Sequence, residues 1–305
     1  MVAYLVRRLF GAALVLAGVT VAVFLILHLS GDPALIMLPP EASQQDVINF
    51  RHEYGFDRPV LVQFGDFAWH AIRGDFGTSI RHGDPAMGLA LERLPATAEL
   101  AFSALLLAMI VAIPAGIVAA TRRETPIDYI VRGVSLVGQA APVYWIGIMF
   151  ILIFGVALGW LPISGMGGIK HLLLPMITLG AFTTAKLMRI TRSGMLDVMR
   201  SDYVRTALAK GLSSLSVTVH HALRNAILPI VTVIGLELGT LLSGAVITET
   251  IFSWPGIGRL AVQAIYDRDY PVVEAVVVLT AAIFVGLNLL VDLTYAVFDP
   301  RITYK

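Results

Sequence analysis

Residues 203–229 read YVRTALAKGLSSLSVTVHHALRNAILP, a polar and basic stretch inside a chain that is otherwise strongly apolar. Hydrophobic residues make up 57% of the 305 residues and charged residues only 14%, and the mean hydropathy is +0.80. A soluble domain carries about 25% charged residues. Because this much apolar length cannot all be hidden in one globular core, the composition predicts an all-α protein that is integral to a membrane.

The first apolar run predicts an uncleaved membrane span. Arg7 and Arg8 precede about 20 uncharged residues, Leu9–Leu29. A cleaved signal peptide has a shorter apolar region and a small-x-small cleavage site, whereas Gly31-Asp32-Pro33 is a poor cleavage context. A signal peptide is the alternative interpretation of this run.

Five further segments are apolar enough to span a bilayer at about 20 residues each. The predicted spans are Leu100–Ala120, Val134–Leu158, Leu172–Met188, Ile227–Ile247 and Val272–Phe298. The segment from Leu172 is the weakest, since Pro175 lies near its start and Lys186 near its end. Counting this segment as a span gives six spans, and leaving it out gives five. The choice decides on which side of the membrane every later loop lies.

The distribution of basic residues favours six spans with both termini in the cytoplasm. In that arrangement the short outer loops hold only Lys170, Arg259 and Arg268, as the excess of basic residues in cytoplasmic loops requires. Five spans would place the basic segment 186–224 outside. The predicted regions are 1–30, the first span with a cytoplasmic N-terminus; 31–98, an extracytoplasmic loop region; and 99–305, a five-helix core with a large cytoplasmic loop at 189–226.

The sequence contains no pattern typical of an enzyme, a cofactor site or a metal site. It has no Cys, no GxxxxGK[ST] phosphate loop, no HExxH pair and no GxSxG elbow. Active sites bring titratable groups together, and no such group of residues is evident within the spans. The net charge of +1 gives no indication of a nucleic-acid partner.

Glu237 is the ionisable residue nearest the middle of a predicted span. One interpretation places its carboxyl group on a substrate path, since intramembrane acids often mark such paths. The other is a carboxylate satisfied by a neighbouring Ser, Thr or backbone group, or protonated. The residues alone leave both interpretations open.

The cytoplasmic loop is predicted to form a helix, a break and a second helix. Met195–Ala209 has helical spacing of apolar residues, Gly211 ends it, and Ser213 or Ser214 caps the next helix. Pro229 is expected at the start of the fifth span, where a helix tolerates proline. A basic elbow of this kind is suited to docking into a protein groove; the alternative is a surface helix whose charges set the topology and contact lipid.

The loop and its flanks resemble a known family. DYVRTALAKGL (202–212) followed by HALRNAILP (221–229) is similar to the cytoplasmic coupling motif of ATP-binding-cassette importer permeases, in the form used by the dipeptide/oligopeptide/nickel permease family. Ordered matches continue along nearly the whole chain, among them ERLPATAEL (92–100), LGWLPISG (158–165), LLLPMITLG (172–180) and TETIFSWPGIGRLAVQAIYDRDYP (248–271). The general importer motif begins Glu-Ala-Ala, whereas Arg205, Thr206 and Ala207 stand at those positions here.

The resemblance implies a type I importer permease fold and a multi-pass location in the bacterial inner membrane. It implies a complex of this chain with a second homologous permease, two cytoplasmic ATPases that bind ATP and Mg, and an extracytoplasmic binding protein facing residues 31–98. The residues implied to lie in or beside the ATPase-coupling helix are Arg205, Thr206, Ala207, Ala209, Lys210, Gly211 and Leu212. Trp254, Pro255 and Gly256 are implied to form part of an outer gate, and Glu237 is the other candidate for the pathway.

The resemblance favours peptides, from dipeptides to oligopeptides, as the transported solutes. Glutathione, nickel chelates and opine-like solutes are used by the same subfamily and stay open as alternatives. A stand-alone secondary carrier or channel is a second class, but it would require an ion relay within the spans, and the acidic residues there are few: Glu237, Glu274 and Asp292. A membrane enzyme is a third class and lacks converging catalytic groups.

Overall fold

The computed structural model describes residues 2–29, 35, 38, 42–53 and 55–298, and this part of the chain is helical, with no β-strand. The helices are α1 (Val2–Leu29), α2 (Gln44–Glu53), α3 (Val60–Ile72), α4 (Ala86–Thr121), α5 (Pro126–Ala140), α6 (Val143–Phe150, continued by a π-helical segment Ile151–Ala157), α7 (Ile169–Met199), α8 (Asp202–Ala209), α9 (Ser214–Ser216, continued by a π-helical segment Val217–Ala222), α10 (Leu223–Ile251), α11 (Ile257–Asp267) and α12 (Tyr270–Phe298). The start of the predicted loop 31–98 and the predicted cytoplasmic C-terminus, 299–305, lie outside the described residues.

Within the described residues, five helices are long and apolar enough to cross a membrane, and a sixth span is available if one bent pair crosses as a unit. The five segments are Val6–Ile26, Ala86–Thr121, Ile169–Met199, Ser214–Ile251 and Tyr270–Asp292. They include the weak fourth span of the sequence prediction. The prediction of an all-α membrane-spanning chain is therefore confirmed.

The third predicted span, Val134–Leu158, is not one straight helix. α5 ends at Ala140, α6 begins at Val143, and the two axes are bent by 108°. Pro142 explains the break, because the residue before a proline is pushed out of the helical region, and Ala141 is extended at φ −74°, ψ 129°. Hydropathy alone counted the apolar residues on both sides of this proline as one segment.

The described residues divide into two compact units. The first contains residues from 1–97 together with 255–290. Its aromatic contacts join α1 to α3, where the Phe24 ring lies 5.3 Å from Phe64 and 5.8 Å from Phe67. Asp269, which is buried between α11 and α12, accepts a hydrogen bond from the Ser79 hydroxyl at 2.5 Å and another from a loop backbone N–H, so the loop before α4 is fixed by a carboxylate.

The second unit contains residues 98–254 and 291–298 and is organised around α7. α7 packs against α4, α5, α6 and α10. Small residues make the close approaches, as expected where apolar lipid gives no hydrophobic drive to helix association. A Cβ atom on Gly180 of α7 would lie 3.0 Å from the carbonyl oxygen of Ala104 on α4, and one on Gly116 of α4 would lie 2.6 Å from the Thr191 Cβ.

Pro229 does not start a helix, which corrects the sequence prediction. The helical chain begins at Ser214 and continues without interruption to Ile251, so Pro229 lies in its interior. The helix is capped earlier because the Ser213 side chain accepts a hydrogen bond from the Ser216 N–H. Proline is tolerated inside a membrane helix when neighbouring groups satisfy the freed backbone.

The contact at Gly116 predicts a clear difference between two glycine substitutions. Gly116→Ala should destabilise the protein by about 1–3 kcal/mol, since the new Cβ meets both Thr191 and the Met188 carbonyl oxygen at 2.9 Å or less. Gly133→Ala in α5 is the control, because a Cβ there has no atom within 4 Å and alanine favours the helix. Apparent unfolding temperatures of the purified protein in detergent should fall only for Gly116→Ala; equal temperatures would contradict the close approach.

Candidate functional site

The predicted helix Met195–Ala209 is two helices rather than one. α7 runs through to Met199, and α8 starts at Asp202 after a break at Ser201, which is extended at φ −72°, ψ 151°. The Ser201 hydroxyl bonds back to the Val198 carbonyl oxygen at 2.6 Å, and the Ser201 N–H donates to the same oxygen. Local hydrogen bonds of this kind between a serine and the backbone compete with the hydrogen bonds that would continue the helix.

The predicted break at Gly211 and the predicted serine cap are both present. Gly211 has φ +82°, a left-handed conformation that an L side chain rarely adopts, and its N–H donates to the Leu208 carbonyl oxygen at 2.9 Å. The Leu212 N–H donates to the Ala207 carbonyl oxygen. Ser213, rather than Ser214, caps the next turn. The segment Asp202–Ser216, called here the elbow, therefore has a defined turn.

The elbow is held by a small apolar cluster and by hydrogen bonds to the helix that follows it. Val204 and Ala207 of α8 are buried against Val217. The Asn225 side-chain amide donates to the Tyr203 hydroxyl at 2.7 Å. Because both limbs are joined, the elbow is attached to α10 as one piece.

The structure separates the residues that the resemblance assigned to coupling. Ala207 belongs to the buried cluster, whereas the others are exposed: Arg205, Thr206, Ala209, Lys210, Gly211 and Leu212. Leu208 and Leu215 are also exposed, and the sequence prediction missed them; Leu215 is 75% exposed. No signal in the local sequence indicates them, because their exposure depends on which face of the elbow packs against Val217. The Arg205–Asp202 pair is exposed and adds little stability.

Glu237 lies in a buried cluster between α10 and α7. Its side chain is 3% exposed and accepts a hydrogen bond from the Lys186 ammonium at 2.6 Å. Its second oxygen accepts a hydrogen bond from the Thr183 hydroxyl at 2.8 Å. Both carboxylate oxygens therefore accept hydrogen bonds from α7. This agrees in part with the second interpretation of the sequence, in which a neighbouring Ser, Thr or backbone group satisfies the carboxylate, but that interpretation did not include Lys186. Whether the group also lines a pathway stays a prediction.

A second buried ion pair was not predicted from the sequence. Asp128 at the start of α5 is fully buried, and the Arg192 guanidinium of α7 donates to its two oxygens at 2.5 and 2.8 Å. The backbone N–H of Glu124 donates to the same carboxylate. A bidentate arginine–carboxylate contact of this kind is strong and geometrically specific. The two residues are 64 positions apart, so nothing in the local sequence indicates the pairing.

The three residues predicted for an outer gate fall in different units. In the second unit Trp254 is fully buried, and its N–H donates to the Glu249 carbonyl oxygen at 2.8 Å. In the first unit Pro255 and Gly256 directly precede α11, whose first N–H, that of Ile257, donates to a threonine hydroxyl at 2.8 Å. The gate itself stays a prediction.

The described residues contain no group of three or more His, Asp or Glu side chains placed to hold a metal ion. Two buried ion pairs, Lys186–Glu237 and Arg192–Asp128, join the apolar helices to one another. The apolar helices define the class of the protein: it is a multi-pass membrane protein, and the folded, exposed elbow belongs to its polar part.

Comparison with known proteins identifies the family. Residues 112–304 match the model of the binding-protein-dependent transport system inner membrane component, and residues 1–101 match the model of the N-terminal part of such components. The chain belongs to this family. It is therefore a multi-pass permease component of an inner-membrane ABC transport system and not an enzyme, and such components work with ATPase subunits and a substrate-binding protein.

Curated relatives match over the full length of the chain. The chain is 42% identical to a dipeptide transport system permease protein of Alkalihalophilus pseudofirmus and 40% identical to an oligopeptide transport system permease protein of Bacillus subtilis, with 100% of each chain covered. It is also 40% identical, again with 100% of each chain covered, to a glutathione transport system permease protein of Escherichia coli.

Solved structures confirm the type I importer permease fold. A chain of the inward-facing MetNI methionine ABC transporter matches with a TM-score of 0.60 at 16% identity, covering 70% of this chain and 97% of the other. A chain of an amino acid ABC transporter crystallised with histidines matches with a TM-score of 0.54, covering 68% and 94%. At this identity the likeness concerns the fold alone.

The Glu237–Lys186 pair predicts a non-additive stability cycle. Lys186→Met should destabilise the protein by about 3 kcal/mol, because it leaves a buried carboxylate without its cation; we take the low end of the usual range because Lys186 is one-third exposed. Glu237→Met should also destabilise, whereas the double variant should recover most of the loss.

Thermal unfolding of the four proteins in detergent measures this cycle. Lys170→Met at the exposed start of α7 is the matched control for loss of a lysine charge. Strictly additive effects would show that the pair contributes no coupling energy.

Proposed function

We propose that this chain forms half of a translocation pathway for peptides, paired with a second homologous permease and coupled at the elbow to two cytoplasmic ATPase subunits. An extracytoplasmic binding protein would deliver the peptide to the face that carries the loop region 31–98. Both chain termini would be cytoplasmic, as the basic residues predict. No cofactor would be bound by this chain; ATP and Mg would be bound by the ATPase subunits.

One observation carries the coupling role: the elbow is folded, exposed and joined to a membrane-crossing helix. Val204 and Ala207 on its buried side pack against Val217 of the helix that follows, and its outer side presents Lys210 and Leu215 to the solvent. Exposed apolar side chains beside a cation are suited to a partner's groove, where an apolar anchor provides affinity and a charge provides orientation. Lipid contact alone would not require the fixed turn at Gly211.

Peptide is the substrate class that the relatives support best. The dipeptide and oligopeptide permeases resemble this chain at 40–42% identity over its full length. The glutathione permease has nearly the same identity, so glutathione is the second candidate. Glutathione is itself a tripeptide, and a pathway that admits short peptides has room for it.

The proposed pathway residues are Glu237, Trp254, Pro255 and Gly256. Glu237 is included because intramembrane acids often mark transport paths, and in this chain its carboxylate is held by Lys186 and Thr183. The chain's own acids supply no ion relay in this proposal, so the energy for transport comes from ATP bound elsewhere in the complex.

The coupling role is tested by binding-protein-stimulated ATP hydrolysis of the reconstituted complex. Lys210→Glu and Leu215→Ser should lower the stimulated rate by at least about tenfold, since interface anchors typically contribute 2 kcal/mol or more. Gly211→Pro should act similarly, because proline cannot adopt φ +82°. Arg200→Glu is the matched control, an exposed charge reversal just outside the elbow.

Membrane insertion and permease pairing are checked first, so that a folding defect is not counted as a coupling defect. Undiminished stimulation in all three elbow variants would reject the coupling role. If Arg200→Glu lowered the stimulated rate as much as Lys210→Glu, the rate would depend on the charge of this loop in general and not on the elbow.

The substrate class is tested separately in proteoliposomes with the wild-type complex. Uptake of a labelled dipeptide should exceed uptake of a nickel–histidine chelate and of an opine. Uptake of glutathione in preference to every tested dipeptide would favour the second candidate and leave the coupling result untouched.

A further inference from the structure

An open groove of about 530 Å³ lies on the second unit between α5 and α7. Its principal lining residues are Arg132, Leu136, Met188, Arg189 and Arg192. None of these residues belongs to the elbow or to the Glu237 cluster. The groove therefore requires an explanation of its own.

The groove carries a net positive charge. Of its three arginines, Arg192 is neutralised by the fully buried Asp128. Arg132 and Arg189 are exposed and form no ion pair within the described part of the chain; the Arg132 guanidinium lies 5.7 Å from the centre of the Tyr129 ring. Two guanidinium groups therefore remain available to an anion.

Part of the groove wall is apolar. The Leu136 side chain is 71% exposed, whereas Met188, also on the wall, is only 6% exposed. Side chains of this kind are suited to a hydrocarbon chain, while a small hydrophilic anion would gain nothing from them.

The arginines and the apolar side chains lie at different positions along the groove. Along α5 Arg132 precedes the apolar residues that begin at Val134, and along α7 Arg189 follows the apolar run that ends at Met188. A Cβ atom on Gly138 would lie 2.9 Å from the Ala185 Cβ, which shows that α5 and α7 continue side by side away from the arginines. The cations thus lie at one end of the groove and the apolar surface extends from them.

We propose that this groove binds one phospholipid with an anionic headgroup. The phosphate would lie between Arg132 and Arg189, and one acyl chain would follow the exposed Leu136 side chain. Basic pockets between membrane helices bind such headgroups because the guanidinium group pairs with phosphate in a low-dielectric setting. Phosphatidylcholine would be bound more weakly, because its choline cation opposes the two arginines.

Lipid titration of the intact transporter complex, followed by native mass spectrometry, tests the proposal. The probes are dioleoylphosphatidylglycerol, phosphatidylcholine with the same acyl chains, and inorganic phosphate. We expect Arg132→Gln and Arg189→Gln each to weaken phosphatidylglycerol binding about fivefold, at roughly 1 kcal/mol per basic residue, and the double variant about 25-fold. Phosphatidylcholine binding should weaken less than phosphatidylglycerol binding, because its choline cation already opposes the arginines, and inorganic phosphate should not displace the lipid.

Arg200→Gln is the matched control, because it removes an exposed arginine from the end of the same helix but outside the groove. Equal phosphatidylglycerol binding by wild type and the double variant would overturn the proposal, and so would an equal loss in Arg200→Gln. Displacement by inorganic phosphate would show an anion site without lipid.

A cysteine at Leu136, introduced into this Cys-free chain, provides a second measurement. A maleimide-bearing phospholipid should label Leu136→Cys in the assembled complex. Protection of this cysteine by the second permease, with cross-linking to it, would overturn the lipid assignment in favour of a subunit contact.

Discussion

The placement of α7 depends on the satisfaction of its charges within the protein. Burying an unpaired charge is expensive, and α7 carries two cations that each meet a carboxylate of a different helix: Lys186 meets Glu237 of α10, and Arg192 meets Asp128 of α5. The two cations are six residues apart and therefore point to different sides of the helix. A segment that is only weakly apolar is thus fixed between two neighbours by complementary charge, and small residues then allow the backbones to approach.

Much of the fold was predictable because hydropathy and charge placement act over whole segments. Each apolar run is a property of about 20 consecutive residues, and the basic residues near Lys186 decided that the weak segment spans. The bend at Pro142 was missed because hydropathy does not register backbone geometry. Pro229 was misplaced because proline is common at helix starts and the sequence prediction used it as one. The helix starts earlier, at the cap formed by Ser213.

The site was predictable where a single residue determines its own conformation. Gly211 indicated the turn because left-handed backbone strongly favours glycine. The sequence left two serines as candidates for the residue that caps the next helix, and the structure shows that it is Ser213. The partners of Glu237 and Asp128 were not predictable, because residues 51 and 64 positions away in sequence supply them. Exposure of Leu208 and Leu215 likewise follows from which face of the elbow packs against Val217.

The uninterrupted helix from Ser214 to Ile251 makes the elbow one end of a stiff rod. Its 38 residues correspond to roughly 57 Å at the usual rise, more than the thickness of a bilayer. A flexible loop deforms when a force is applied at one end. A rigid helix instead tilts or slides as a whole, so its far end moves as well. Pro229, which cannot donate to the carbonyl of Asn225, and the π-helical segment Val217–Ala222 are where a helix of this kind bends most easily, so their positions determine how much of the helix follows a movement of the elbow.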